Sequence, residues 1–253
     1  MCFSQGQSFF FAAVGFLIAA FLFRNGHTRL AKGVFYFFLM ECLQGVQYFV
    51  IDECDNPVNK LLTVAGYLHI CFQPFAVHWL KDFNNPEMQA RSEGIRRICF
   101  LGGVVLFAKF LMYPWSTDEG IFAPGCVGGG TREWLRGSRQ QGICTYRGVR
   151  HLAWSVPLYD STYFSPGVGL HCFLMFAPYF SSGKAVHLLF GSFFFLSGPF
   201  LATRLTPNLQ EQASIWCFFS IAQIAAMLML IGPVLLRKAP TGDIAMSKRI
   251  KAA

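Results

Sequence analysis

Charge is what this sequence has least of. Asp, Glu, Lys and Arg make up only 13% of the residues, while 54% are hydrophobic, and a soluble domain carries about 25% charged residues. A soluble core of 253 residues has no need of long charge-free runs, so the scarcity argues against an ordinary soluble enzyme or binding module. Other absences narrow the function further. No Gly-rich Walker loop, Gly-x-Ser-x-Gly elbow, paired-aspartate motif, Cys-x-x-Cys or His-x-x-x-His is present, so no familiar nucleotide, acyl-transfer or metal signature fixes a reaction. The last apolar run lacks lysine, which excludes a retinal Schiff base there. The opening Met1-Cys-Phe-Ser-Gln-Gly-Gln-Ser8 lacks a basic stretch, so the first apolar run is expected to be retained rather than cleaved.

What the chain has instead is apolar length. Mean hydropathy is +0.42, and runs lie at about 8–23, 34–51, 61–80, 98–115, 163–180, 185–201 and 214–236. Most approach the ~20 residues that cross a bilayer core at 1.5 Å per residue. The expected fold is therefore all-α: one integral membrane domain over 1–253, a bundle of about seven transmembrane helices. The fifth and sixth runs are joined by Ser181-Ser-Gly-Lys184 and could instead form a re-entrant hairpin. Either way the number of spans is odd. Residues 116–162 read as an external loop pinned by a disulfide, and 237–253 as a basic tail.

Basic residues set the orientation. Arg24, Arg29 and Lys32, then Lys81, Arg91, Arg96 and Arg97, then Lys184, and finally Arg237, Lys238, Lys248, Arg249 and Lys251 fall on one side of a seven-span chain. Only Lys60 and Arg204 fall in short segments of the other side. The positive-inside rule then puts the N-terminus outside and the C-terminus inside. The net charge of +8 mostly reflects this bias. It points to the bilayer and its anionic inner headgroups as partners, not to nucleic acid. Other membrane proteins are further candidate partners. Of the nine cysteines, Cys2, Cys54, Cys126 and Cys144 lie outside the apolar runs, all on the outer side. Such a one-sided set suits an oxidising compartment. Cys126 with Cys144 is the natural first pair, leaving Cys2 with Cys54; the other two pairings stay open.

The leading candidate for function is Glu41, alone in Val34-Phe-Tyr-Phe-Phe-Leu-Met-Glu41-Cys-Leu-Gln44-Gly-Val-Gln47-Tyr48. A carboxylate near a bilayer centre costs about 2.5–3.5 kcal/mol on the insertion scale, so it normally faces a partner or cavity. Glu41, Gln44 and Tyr48 share one helix face. The third run offers His69 and Gln73 at i, i+4, beside Pro74. Glu41, Gln44, His69 and Gln73 are the expected ligand-binding set, with Glu41 paired to His69. The competing reading is an interhelical hydrogen-bond network, worth roughly 0.6 kcal/mol per bond. A metal set of Glu41, His69, His171 and His187 is the weaker alternative. His27 and His78 are expected to be exposed. Arg150-His151-Leu-Ala-Trp154-Ser-Val-Pro157-Leu-Tyr159-Asp160 is either a reactive external segment or a lid on the helix ends.

Several of these residues carry a resemblance. Met1-Cys2-Phe3-Ser4, Glu41-Cys-Leu-Gln44, Asp52-Glu-Cys54 with Asn59, Tyr67-Leu-His69-Ile-Cys-Phe-Gln73-Pro74-Phe75, His151-Leu-Ala-Trp154 with Pro157, and Ile215-Trp216-Cys217 together resemble an uncharacterised family of multi-pass membrane proteins. Its members open with Met-Cys-Trp/Phe-Ser. The family pattern has Asn where this chain has His78. Pro207-Asn-Leu-Gln-Glu211 departs from its tighter Asn-Pro-Asn-Glu form, so the resemblance assigns Glu211 no role. It implies a fold and a residue set, not a reaction.

The expected function is a polar intramembrane pocket at Glu41 and His69 that binds a proton, ion or small polar ligand for sensing or transport. The alternatives are a metal-dependent membrane lipid hydrolase and a structural accessory subunit of a membrane complex. No cofactor is indicated.

Overall fold

The computed structural model describes residues 4–80, 86–112, 143–156, 168–180 and 185–235. Cys2, residues 116–142 (with Cys126) and 157–162 of the loop, the 237–253 tail and the side chain of His171 lie outside the described residues. The helices are α1 (Gln5–Arg24), α2 (Thr28–Gln47), α3 (Pro57–Val77), α4 (Pro86–Leu111), α5 (Val168–Phe180), α6 (Ala185–Phe195) and α7 (Leu209–Leu235). α6 continues through a π-helical segment, Leu196–Phe200, into Leu201–Leu205. Four of these are long and apolar enough to cross a membrane: Gln5–Arg24, Thr28–Val50, His187–Leu205 and Glu211–Leu230. α3 carries Asn59, Thr63 and Gln73, all fully buried. A helix that turns its polar residues inward in this way is less apolar in composition than its outer face.

Local chemistry sets the helix ends. Ser4 opens α1 with a capping box: its hydroxyl accepts from Gln7 N–H, and its own N–H donates to Gln7 Oε1 at 2.9 Å. α1 closes where Gly26 adopts φ +83°. There His27 N–H reaches Leu22 O at 2.9 Å and Gly26 N–H reaches Phe23 O at 3.1 Å, the two bonds of a Schellman stop. Only a residue without Cβ enters that conformation cheaply, and the reversal lays α2 back along α1. Asn56 caps α3 and Pro57 occupies its first turn, a position where a missing N–H costs nothing.

Neighbouring helices alternate in direction. Gln5 touches Gly45, Tyr36 meets His69, Tyr67 meets Leu106, Tyr179 meets Phe194, and Gln223 meets Phe194. α2, α3 and α7 form the centre, with α1 against α2 and α7, and α4, α5 and α6 around the remaining side. Within α6, Pro199 has no N–H to offer Phe194 O five residues back, and Gln223 Nε2–H supplies it at 3.1 Å. Such substitution by a neighbouring helix is how a bilayer-embedded helix tolerates proline.

Two departures from the sequence reading stand out. The fold is not purely helical: β1 (Cys144–Arg147) and β2 (Leu152–Ser155) pair antiparallel, Cys144 opposite Ser155 and Arg147 opposite Leu152. His78 is buried rather than exposed. α3 ends against α4 and α5, where His78 Nδ1 meets Ser92 Oγ at 3.1 Å and Nε2 meets Leu174 O at 3.3 Å.

Candidate functional site

The hairpin lies across the ends of α2, α3 and α7 and is fastened from all three. Asn59, on the first turn of α3, acts as a surrogate strand for Thr145. Its Oδ1 accepts Thr145 N–H at 2.8 Å, and its Nδ2–H donates to Thr145 O at 2.8 Å and to Val50 O at 2.6 Å. Thr63 and Thr145 hydroxyls share a bond of 2.7 Å. From α2, Gln47 donates to Leu62 O at 2.8 Å and accepts Trp154 Nε1–H at 3.0 Å. From α7, Ser214 donates to Leu152 O, and Glu211 accepts His151 N–H at 2.7 Å, Arg150 N–H, and the Thr206 hydroxyl at 2.6 Å. A Cβ on Gly148 would sit 2.5 Å from the Glu211 carboxyl carbon, so only glycine lets the turn settle onto that carboxylate.

His151 is buried at the junction. Gln44 directs its amide N–H to Ser214 O at 3.3 Å, which leaves Gln44 Oε1 facing His151 Nε2 at 2.9 Å. An amide oxygen only accepts, so Nε2 carries the hydrogen and Nδ1 accepts from Tyr48 O–H at 2.7 Å. The ring is thus held in one neutral tautomer, and burial pushes its pKa down from 6.5 to about 3. Of the two readings of the external segment, a lid on the helix ends is what Arg150–Ser155 forms.

The disulfide corrects both expected pairings. Cys54 is bonded to Cys144, with Cα atoms 4.9 Å apart, so neither Cys126–Cys144 nor Cys2–Cys54 forms. Sequence proximity favoured Cys126 with Cys144, but docking decides. Asn59 and Asp52 draw β1 onto the α2–α3 connection, with Asp52 N–H on Thr145 O at 3.1 Å and Asp52 Oδ1 on Arg147 N–H at 2.7 Å.

One turn deeper the polar chemistry changes. Glu41 is fully buried, and neither carboxylate oxygen has a hydrogen-bond partner among the described residues. Gln73, also fully buried, donates to Cys217 Sγ at 3.9 Å, while its Oε1 has no partner among the described residues. Glu41 lies close enough to Cys217 to interact with it electrostatically. The three residues come from α2, α3 and α7, the helices that also fasten the hairpin. His69 does not pair with Glu41. Its ring stacks on Tyr36, with centroids 3.8 Å apart, Tyr36 O–H donates to the His69 carbonyl, and Nε2 finds no partner among the described residues. Helix rotation explains this: Glu41 and Tyr36 are five residues apart, about 140° around α2, so the helix turns Glu41 toward α7 and Tyr36 toward His69.

The expected set Glu41, Gln44, His69 and Gln73 is thereby divided. Gln44 belongs to the hairpin latch, Gln73 bonds Cys217, which also feels the Glu41 side chain electrostatically, and His69 stands apart. Among the described residues no three of His, Cys, Asp and Glu converge, so Glu41, His69 and His187 do not come together as metal ligands. Glu211, Asn59 and Cys217 were not singled out by sequence as site residues. Asn208-Leu-Gln-Glu211 before an apolar run reads as a helix start, which it is. The turning of that carboxylate to another segment leaves no sequence trace.

No curated protein and no solved structure matches the chain. A family model matches residues 6–239, and by that match the chain belongs to a family of unknown function, DUF5765.

Proposed function

We propose that the protein is a seven-span membrane protein, with its N-terminus outside and C-terminus inside, whose activity is centred on Glu41. A proton, cation or small polar ligand binds there for sensing or transport. Glu41 carries the reading: a wholly buried carboxylate with no hydrogen bond on either oxygen among the described residues. An uncompensated buried charge costs several kcal/mol, and a chain that needed only packing at this position would be better served by an apolar residue. The neighbouring polar side chains do not relieve it, because Gln44 is committed to His151 and Ser214. The orientation rests on the alternating helix directions. Arg24, Arg29 and Lys32 lie at one end, and the Cys54–Cys144 bond at the other. Contact with anionic headgroups follows at the basic end.

Melting of wild type and Glu41→Gln in nanodiscs, as a function of pH and of added cations, tests the assignment. The wild type should show a dependence that the variant loses. Parallel curves for both proteins would dismiss Glu41 as a binding group.

A further inference from the structure

The geometry points to an amphiphilic ammonium compound as the ligand of this site: an amine held by Glu41 and Gln73, its apolar body in the aromatic cleft beneath them. This rests on the reading of Glu41 as a binding group and gives that group its ligand class.

Three features of the site converge on such a ligand. The first is the polarity of the unpartnered atoms. Glu41 Oε1, Glu41 Oε2 and Gln73 Oε1 are all acceptors, and the Gln73 amide N–H is already directed at Cys217 Sγ. Acceptors alone select a donor. A primary ammonium carries three N–H donors and no acceptor, which matches three buried oxygens. A hard inorganic cation such as Ca²⁺ takes about six to eight oxygen ligands, more than this layer offers.

The second feature is what lies next to those atoms. A cleft lined by Phe37, Val77, Phe176, Trp216 and Ser220, among others, begins one turn from each of the three site residues. Phe37 is i−4 from Glu41 on α2, Val77 is i+4 from Gln73 on α3, and Ser220 is i+3 from Cys217 on α7. Residues so spaced lie one above the other on a helix face. Side chains tilt toward the N-terminus of their own helix. α2 rises toward the hairpin, so Glu41 leans away from the hairpin and toward the cleft. Aromatic walls suit a hydrocarbon or ring, and their faces attract a cation.

The third feature is closure on the other side. Met40, beside Glu41, and Cys217 itself pack in one cluster with Leu152, Trp154 and Val156 of the hairpin segment. The body of a ligand whose cation meets Glu41 therefore extends away from the hairpin, into the cleft.

The experiment is binding to the full-length protein in nanodiscs, read by melting temperature and by tryptophan fluorescence, since Trp216 lines the cleft. The probes are n-octylammonium, n-octanol, ethylammonium and sodium ions. Octylammonium should bind saturably, at least tenfold tighter than octanol and than ethylammonium. Glu41→Gln should weaken it at least tenfold, and Gln73→Leu should weaken it less. Equal binding of octanol and octylammonium to the wild type would overturn the proposal, a comparison that needs no variant to fold. So would an octylammonium affinity unchanged by both substitutions. A Glu41-dependent response to pH or sodium with octylammonium inert would sink the amine alone and leave Glu41 as a binding group. Loss of every Glu41-dependent response would sink both.

Discussion

At the hairpin end, Gln44, Gln47 and Asn59 commit their side-chain amides to the hairpin and to neighbouring helix carbonyls. Deeper on the same helices, one turn along α2 and about four turns along α3, Glu41 and the Gln73 side-chain carbonyl have no hydrogen-bond partner among the described residues. Both layers are buried and both are drawn from the same three helices, so burial alone does not separate them. What separates them is whether the chain supplies partners. A satisfied buried network specifies one arrangement, and an unsatisfied polar group is a cost that folding does not repay. The first layer therefore reads as construction and the second as a site.

Breaking the satisfied layer should have the largest effect. Asn59→Ala strands Thr145 N–H and takes one of two hydrogen bonds from both Thr145 O, which keeps Asp52 N–H, and Val50 O, which keeps Glu53 N–H. With the stranded donor costing about 1–3 kcal/mol and each of the two other lost bonds about 0.5–1.5 kcal/mol, a loss of roughly 3–5 kcal/mol is expected, seen as a lowered melting temperature. If the hairpin were only resting on the bundle, Asn59→Ala would melt like the wild type.

Reducing Cys54–Cys144 should come next. The bond spans 90 residues, and a loop near that length corresponds to about 4.7 kcal/mol in the chain-entropy model. Helices held in a bilayer are less free when unfolded than a chain in water, so the expected loss is smaller, about 2–4 kcal/mol. Thiol mapping of the unreduced protein checks the pairing itself: a fragment joining Cys126 to Cys144 would contradict the bond that defines this end of the molecule.

The contrast between layers also marks where sequence reading reaches its limit. Apolar runs long enough to cross a bilayer are legible because lipid permits little else, and each run overlaps a helix. Glu41 was conspicuous because a lone carboxylate stands out among phenylalanines. Its relation to His69 was not, because pairing depends on the rotation of two helices about their own axes, which no spacing along one helix reveals. Glu211 shows the same limit from the other side. Its position spells a helix start, yet its carboxylate holds the backbone of Arg150 and His151 some 60 residues away. The Cys54–Cys144 bond is likewise a consequence of docking, fixed by Asn59 and Asp52 rather than by distance along the chain.

A smaller effect should separate the layers by pH. His151 is held neutral when folded, its pKa lowered by burial from 6.5 to about 3. Between those values the unfolded chain binds the proton and the folded one does not. The contribution of this group is therefore complete above pH 6.5 and declines as the medium is acidified toward pH 3. The slope is about 1.4 kcal/mol per pH unit at most. Glu211, whose carboxylate holds the His151 backbone, and Tyr48 face the same junction. The His151 part is thus read as the difference in slope between wild type and His151→Gln, which should be flatter from pH 6.5 to 5. Equal slopes would mean that the junction admits water freely and that the latch is looser than its bonds imply.

The last expected effect is the smallest and opposite in sign. Glu41→Met replaces an unpartnered carboxylate by an apolar side chain of similar volume. In a layer built for stability, as at Asn59, such a change would strip partners and lower the melting temperature. At Glu41 it strips none, since neither oxygen is hydrogen-bonded among the described residues. Exchange of a buried ionic group for a well-packed apolar one is often neutral or stabilising, by about 1–4 kcal/mol in soluble proteins. A gain near the low end, about 1 kcal/mol, is expected here, because Met leaves the Gln73 carbonyl unpartnered as before. Calorimetry of both proteins without added ligand makes the measurement. A gain would identify Glu41 as a residue retained against the interest of the fold, as expected of a binding group. A loss of several kcal/mol would mean that the carboxylate is held after all, and the two layers would then be one.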